Sequence, residues 1–230
     1  MVVISLGGSI ISQEEIDEEY IFEFRRFLER MGKKEKLYVV VGGGKTARRY
    51  IHAAQRIGMD QYTLDVIGIL ATRLNASLLL GKYSYPKVAE SIDEAYMAGK
   101  NYNIVIMGGT EPGHTTDAVS LLLAERAGEK RVINMTSVGG IFDKDPKTNK
   151  DVKLILRLSY RGAEKLFLNR KMNAGLNLPF DLLSLKIAER SGIEIVIIGK
   201  DLLSLEKVIK GEEFRGTVIG SSNFENGKKG

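Results

Sequence analysis

Apolar runs of strand length alternate with stretches of helical periodicity along most of the chain. The runs show little polar alternation, which is typical of strands that are covered on both faces of a sheet. They predict strands at residues 2–6, 37–41, 103–107, 131–135, 193–198 and 217–219.

Between these runs, apolar residues recur at intervals of three and four positions, which is the spacing of a helix face. The predicted helices cover residues 20–31, 45–57, 63–80, 116–127, 159–168, 181–190 and 202–209. We assign the aromatic residues of the first helix to the core, and we expect Tyr50, Ile57 and Leu74 to lie on inward-facing apolar stripes. The alternation predicts an α/β fold, with a largely parallel sheet covered by helices on both faces.

Glycine-rich turns follow three of the predicted strands. They are Gly7-Gly8-Ser9, the triplet Gly42–Gly44, and Gly108-Gly109 with Gly113 close behind. A residue without Cβ lets a bulky anion approach the main chain, and the first turn of a following helix offers unpaired N–H groups to phosphate. In parallel sheets, ligands bind beyond the carboxyl ends of the strands, where these turns fall. The pattern indicates a protein that binds phosphorylated ligands.

Composition narrows the function classes. The chain has 230 residues, 43% of them apolar, which suits one α/β domain, and its lack of cysteine excludes disulfides and thiolate chemistry. We see no signal-peptide pattern and no apolar stretch of about 20 residues, so we expect a cytoplasmic protein without a membrane partner. The net charge of +5 comes from interspersed charges of both signs. This favours a mixed surface over a nucleic-acid groove, and we expect no nucleic-acid partner.

Two polar segments punctuate the chain. Residues 143–151 are charged and turn-rich, which predicts a boundary or a mobile loop. Residues 221–230 are polar and rich in glycine and lysine, which predicts a flexible tail or the remnant of an expression tag.

Two common phosphate motifs can be tested against the GGGKT sequence at residues 42–46. A P-loop requires a glycine at position 39, which is valine and lies inside the predicted strand. A dinucleotide fold requires a strand ending in an acidic residue after the helix, but another helix follows here. Neither motif fits.

The segment at residues 107–125 is more informative. It joins a strand, a glycine-rich loop, two threonines, Asp117 and a long apolar helix in one unbroken series. A plain helix cap with Asp117 in the first turn would explain part of it. The loop is longer than capping requires, however, and its hydroxyl and amide groups could bind a polar base or sugar.

Five segments carry a family resemblance: SLGGS at 5–9, VVVGGGKTARRYI at 39–51, LDVIGILATRLNA at 64–76, MGGTEPGHTTDA at 107–118 and IFDKDPKTNKDVK at 141–153. In this order the chain resembles the amino acid kinase family, and within it the archaeal-type uridylate kinases, from about residue 2 to 220. The resemblance implies a three-layer α/β/α sandwich in one domain at residues 1–220. An acceptor-binding lobe would cover about 1–130 and an ATP-binding lobe about 131–220.

On the acceptor side, the resemblance implies that uridine monophosphate (UMP) lies near Gly43, with Asp65 contacting the ribose. A loop would close on the nucleotide, and its threonines would recognise the uracil edge. The loop residues are Thr110, Glu111, Pro112, Gly113, His114, Thr115 and Thr116.

On the donor side, the resemblance assigns ATP as phosphoryl donor. The positions implied for its phosphates are Gly7, Gly8, Ser9, Gly44 and Arg48, and those for its nucleoside are Thr136, Phe142 and Asp145. Mg²⁺ would accompany ATP, and no side-chain metal site is assigned.

Catalysis in this interpretation is positioning and charge neutralisation without a covalent intermediate. Many relatives carry a lysine in the first turn where this chain has Ser5, so Lys45 and Arg48 are the candidate cations. Arg48 would neutralise the transferred group, although its position also suits a solvated helix residue. Asp117 would anchor basic groups or water on Mg²⁺. A second departure is Gly139, where archaeal-type relatives often carry an aspartate.

The leading hypothesis is therefore a UMP kinase that makes UDP and ADP in pyrimidine nucleotide biosynthesis. His52 on the helix after the glycine triplet leaves isopentenyl phosphate kinase as an alternative, although a surface histidine explains it as well. Ser5 and Gly139 leave open a non-catalytic nucleotide-binding protein. The resemblance also implies a homo-oligomer, commonly a hexamer.

Overall fold

The computed structural model describes residues 1–144, 149, 151–172 and 180–221, with the main chain alone at 169–172. The strands within these residues are β1 (Val2–Leu6), β2 (Leu37–Val41), β3 (Ile104–Met107), β4 (Arg131–Met135), β5 (Ile141–Phe142), β6 (Leu154–Ile155), β7 (Arg157–Ser159), β8 (Glu194–Ile198) and β9 (Thr217–Gly220). The helices are α1 (Gly8–Ile11), α2 (Glu18–Met31), α3 (Gly44–Arg56), α4 (Gln61–Ser77), α5 (Ile92–Ala98), α6 (Thr116–Ala127), α7 (Tyr160–Met172), α8 (Leu182–Ser191) and α9 (Leu202–Lys210).

In the described part of the chain, seven strands form one sheet in the order β3-β2-β1-β4-β8-β9-β7. Neighbouring strands pair in parallel, except for the antiparallel pair β8 and β9. Strands β5 and β6 form a separate antiparallel pair. All of the strands from β3 to β8 in this order point the same way, so the turns that follow them meet at one edge of the sheet.

Alternate side chains of the sheet enter two separate cores. Val3 and Val40 face one core, which α5, α6, α7 and α8 cover, whereas Ile4 and Val39 face the other, which α1, α2, α4 and α9 cover. Helix α3 packs against α4. The fold is therefore the predicted three-layer α/β/α sandwich, because a strand buried on both faces needs helices on both.

Most predicted elements are present with bounds that agree within a few residues. The strands at 2–6, 37–41 and 131–135 and the helix at 116–127 agree at both ends. The prediction missed α1, α5 and the short strands β5, β6 and β7. Three aromatic residues of α2, Tyr20, Phe24 and Phe27, are buried as predicted, whereas the fourth, Phe22, is 60% exposed.

The predicted inward stripes of α3 and α4 are the main disagreement. Tyr50 is 65% exposed, Ile57 74% and Leu74 60%. The contact between the two helices instead involves smaller residues, since Gly68 of α4 lies against Ile51 of α3. The larger apolar side chains are left on the outer surface.

Two expectations fall on parts of the chain that receive no structural account. Asp145 and most of the predicted tail at residues 221–230 lie outside the described residues. Among the helices that the structure does describe, none combines the length and apolar character needed to cross a lipid bilayer.

Candidate functional site

The first two glycine turns are in direct contact at the carboxyl edge of the sheet. A Cβ built on Gly8 would lie 2.0 Å from the Gly44 nitrogen and 2.5 Å from the Gly42 carbonyl carbon. Gly44 also has φ of +59°, a conformation that side chains rarely adopt. Any side chain at position 8 would force the turns apart, so glycine is required for the two main chains to form one surface.

Helix α3 begins at this surface without a side-chain cap. Its N-cap residue is Gly43, which offers no side-chain cap, and in the first turn the Lys45 N–H donates to the Ser12 carbonyl at 3.0 Å. The turn itself is held from below, where the buried Asn75 of α4 donates to the carbonyls of Gly42 and Gly43 at 2.9 and 3.1 Å. A rigid turn with an uncapped helix start provides N–H groups and a positive dipole end for an anion.

The two predicted cations, Lys45 and Arg48, lie on the first two turns of α3 and have different surroundings. Lys45 forms an ion pair with Glu14, which lowers the pKa of that glutamate. Arg48 is exposed and has no ion-pair partner among the described residues. Arg48 is therefore the cation that can turn toward a bound phosphate without giving up an existing contact.

The loop at residues 110–116 lies against α4. The Gly113 N–H donates to Asp65 Oδ2 at 2.9 Å, and Gln61 donates to the other oxygen of the same carboxylate at 2.9 Å. The loop residues Glu111 and His114 are exposed. The structure thus brings the predicted loop together with Asp65, the residue expected to contact the ribose.

The C-terminal end of the same loop contacts the start of helix α8. Thr115 caps α6 by accepting from the Ala118 N–H at 3.1 Å, and its hydroxyl donates to Asp181 Oδ2 at 2.5 Å. Asp181 itself caps α8 by accepting from the Ser184 N–H at 2.9 Å. One hydroxyl therefore connects the start of α6 to the start of α8.

Asp117 lies in the first turn of α6, and its side chain points toward β1 and β4. Ser5 of β1 donates to its Oδ1 at 2.7 Å, and Asn134 of β4 also bonds to it. Burial raises the pKa of Asp117 to about 6, the Ser5 and Asn134 bonds oppose that rise, and the nearby Asp181 carboxylate adds to it. The carboxyl joins the two central strands to α6.

Two of the predicted donor-side segments lie side by side, the first glycine turn and the turn after β4. The Gly7 N–H donates to the Met135 carbonyl at 2.9 Å, and the hydroxyls of Ser9 and Ser137 are 3.4 Å apart. Thr136 accepts from the Gly139 N–H at 3.1 Å, which shapes the turn after β4. Phe142 lies on the short strand β5.

This arrangement agrees with a comparison against known families. The family model described as "Amino acid kinase family" matches residues 1–199. The chain belongs to the amino acid kinase family. The resemblance predicted from the five sequence segments is confirmed.

Individual relatives within the family are similar over almost the whole chain. A protein named uridylate kinase from Methanocorpusculum labreanum is 45% identical over 226 residues, which is 96% of both chains. Another of that name from Thermoplasma acidophilum is 42% identical over 95% of this chain and 96% of its own. The crystal structure of uridylate kinase from Archaeoglobus fulgidus matches with a TM-score of 0.83 at 41% identity, covering 96% of this chain and all of that one.

Some residues of the site were missed by the sequence interpretation. Asp181 was predicted only as a helix start, and Asn75 and Asn134 were not singled out. An asparagine or aspartate inside an apolar stretch, such as Asn134 in β4, is the signal that could have pointed to them, because a buried polar side chain needs a partner. His52, which supported the isopentenyl phosphate alternative, lies exposed on α3.

Proposed function

We propose that this protein is a UMP kinase that transfers the γ-phosphoryl group of ATP to UMP, giving UDP and ADP. The observation that supports it most strongly is the contact between the turns after β1 and β2. A surface made of two adjoining turns of main chain can hold two phosphate groups next to each other, which is what phosphoryl transfer requires. The 45% identity to a protein named uridylate kinase supports the choice of acceptor.

On the acceptor side, we assign the UMP phosphate to the Gly43 turn at the start of α3. The Asp65 carboxylate would accept from the ribose hydroxyls, in place of the Gly113 N–H that it now holds. The loop at residues 110–116 would then cover the base. Paired polar groups at the uracil edge favour it over a base that leaves them unsatisfied.

On the donor side, we assign the ATP phosphates to Gly7, Gly8, Ser9 and Gly44. The turn containing Thr136 would contact the nucleoside. This assignment separates the two nucleosides and not their phosphates: the residues assigned to the acceptor's ribose and base lie on α4 and after β3, the residue assigned to the donor's nucleoside follows β4, and the phosphates share the turns after β1 and β2. It corresponds to an acceptor lobe of about residues 1–130 and an ATP lobe of about 131–220.

The chemistry needs positive charge at the group in transfer. Arg48 is exposed beside the second glycine turn, where its guanidinium can bond two phosphate oxygens at once. Lys45 can contribute once it leaves Glu14. Asp117 acts from below, because its bonds to Ser5 and Asn134 hold the first glycine turn in place.

Mg²⁺ is proposed to arrive with ATP. No group of three or more potential metal-ligating side chains occurs among the residues described. Mg²⁺ is usually held by substrate phosphates and one or two carboxylates rather than by a protein cage. Asp117 and Asp181 are the carboxylates beneath the turns, and the ion would supply additional charge neutralisation.

We also propose a homo-oligomer formed through the outer face of α3 and α4. Tyr50 on α3, Ile57 just after it, Leu70 and Leu74 on α4, and Leu78 just after it are between 36% and 74% exposed. Their helical positions place them on the same side of the antiparallel pair. At about 200 Å² for a full side chain they expose on the order of 600 Å², which approaches the ~800 Å² that each partner buries in a stable dimer. A hexamer would combine three such dimers in the cytoplasm, where both nucleotides are available.

An acceptor screen tests the proposed function. The protein is incubated with ATP and Mg²⁺ plus UMP, CMP, isopentenyl phosphate or carbamate, and ADP formation is measured. We expect turnover with UMP in preference to the others. Preferred turnover of a non-nucleotide would contradict the proposal, and binding of both nucleotides without product would favour a non-catalytic nucleotide-binding protein.

A further inference from the structure

Helix α4 holds the acceptor loop at its beginning as well as at its tip. The turn after β3 packs tightly on the helix, since a Cβ on Gly108 would lie 2.6 Å from Thr72 Oγ1 and 2.9 Å from the Arg73 nitrogen. Two successive residues of α4 then bond both polar groups of Gly109. Its N–H donates to Thr72 Oγ1 at 2.6 Å, and its carbonyl accepts from Arg73 Nε at 3.2 Å.

Arg73 extends this contact to a third part of the chain. Its two terminal nitrogens donate to the Glu90 carboxylate at 2.7 Å and to the Glu90 carbonyl at 3.2 Å. Glu90 follows Ala89, which bridges in parallel to Met107 at the end of β3. One guanidinium therefore joins α4, the start of the acceptor loop and the segment that runs beside β3.

The burial of Arg73 supports a specific role over a surface ion pair. Its side chain is only 23% exposed, whereas that of Glu90 is 60% exposed. Enclosing a guanidinium is unfavourable unless its donors are used, and here all three nitrogens are. A lysine could not reproduce these contacts, because its single ammonium lacks the planar fork.

The contact at Gly109 is also independent of the ligand. The other contact between α4 and the loop is made by Asp65, which we assign to the ribose and which must release Gly113 when UMP binds. Of the hydrogen bonds described between α4 and the loop, those of Thr72 and Arg73 to Gly109 then remain. The position of the loop over the nucleotide depends on them.

We propose that Arg73 is a positioning residue that sets the acceptor loop over the nucleotide through the Gly109 carbonyl and Glu90, an inference that rests on the proposed function. It does not contact the reacting groups. Its loss should weaken binding of the acceptor nucleotide and leave the donor nucleotide unaffected, because the bonds described for Arg73 go to Gly109 and Glu90 and to none of the residues assigned to the donor.

The test compares Arg73→Gln and the milder Arg73→Lys with the parent protein. A matched control is Arg30→Gln, which removes a two-bond arginine–glutamate pair between α2 and Glu206, remote from the loop. We expect KM for UMP to rise roughly tenfold in Arg73→Gln, the scale of one lost hydrogen bond to a charged group. Arg73→Lys should change in the same direction by less, and KM for ATP and both constants of the control should be unchanged.

A second measurement does not depend on activity. Amide hydrogen exchange without nucleotide should become faster at residues 109–114 in both Arg73 variants, with no change in β1 or β4. This readout separates the two proposals, since an inactive parent protein would remove the UMP assignment and still leave the loop measurement valid. Equal rises in both KM values, or unchanged exchange at residues 109–114, would overturn the inference about Arg73.

Discussion

Replacing Asp117 with asparagine should change how the stability of the protein depends on pH. The folded protein raises the pKa of this carboxyl from its ordinary value of 3.8 to about 6, chiefly by burial. Between these values the folded state keeps a proton that the unfolded state has released. The free energy of unfolding must therefore fall as pH rises from about 4 to about 6, and asparagine, which does not titrate, removes that fall.

The size of the effect follows from the shift. Each pKa unit corresponds to about 1.4 kcal/mol, so the rise to about 6 corresponds to about 3 kcal/mol in total. A measurement that begins at about pH 4.5 covers about 1.5 of these pKa units, so we expect about 2 kcal/mol of this change. Asparagine can keep the bond to Ser5, since the Ser5 hydroxyl can accept from an amide as well as donate to a carboxylate.

Urea unfolding at about pH 4.5 and about pH 7.5 measures this effect. The stability of Asp117→Asn relative to the parent protein should increase by about 2 kcal/mol between the two conditions. Glu206→Gln is a suitable control, because the Arg30 contact lowers the pKa of Glu206 to about 2, and its titration is complete at the lower pH. A constant difference between Asp117→Asn and the parent protein across this range would refute the reasoning.

Three further predictions concern the glycine turns and the exposed face. Arg48→Ala should lower kcat by ~10²–10³, the scale for losing one donor to transition-state charge. The control Arg49→Ala should leave kcat unchanged. A change in KM alone would mean that Arg48 only holds ATP. Gly8→Ala should destabilise the protein by ~3 kcal/mol in urea unfolding, because its Cβ would lie 2.0 Å from the Gly44 nitrogen. Gly81→Ala meets only flexible side chains and should be tolerated. Equal stability of the Gly8→Ala variant and the parent protein would contradict the contact between the turns. Leu74→Asp should shift sedimentation toward the monomer, unlike Leu203→Asp on α9; an unchanged oligomer would remove this face from the interface.

The elements of the fold could be predicted where hydrophobic pattern and length agree. Strand β2 is a continuous apolar run, and α6 begins at a threonine cap and ends before Gly128, so both were predicted with their bounds. Helix α1 has four residues, which is too short to show periodicity. Helix α5 was missed, although Ser91 caps it and acidic residues follow in its first turn. This combination is a recognisable signal for the start of a helix.

The apolar stripes of α3 and α4 show a limit of periodicity. The spacing of Tyr50 and Ile57 correctly marks one face of a helix, but spacing alone does not say what covers that face. In this fold the sheet is already covered by α4, and the small residues between the helices bring α3 close to it. The largest apolar side chains of these two stripes therefore lie on the outer surface of the protein.

The site could be predicted in outline because its main-chain turns have a sequence signature. The glycine turns were identified from the sequence and follow strands of the sheet, and Asp65 on α4 bonds to Gly113 of the third turn. The contact between Arg73 and Gly109 joins residues that are 36 positions apart, and no local pattern predicts it. The contact of Asp181 with Thr115 could not be predicted from the sequence either. A helix cap that makes such a contact has the same local sequence pattern as any other cap.

The most direct test of the account is a crystal structure with UMP and a non-hydrolysable ATP analogue bound together. We predict the UMP phosphate at the Gly43 turn with its ribose on Asp65, and the analogue's phosphates at Gly7, Gly8 and Gly44. The two reacting groups should meet above the contact between the first two turns. Nucleotides bound away from these turns and from residues 110–116 would contradict the account.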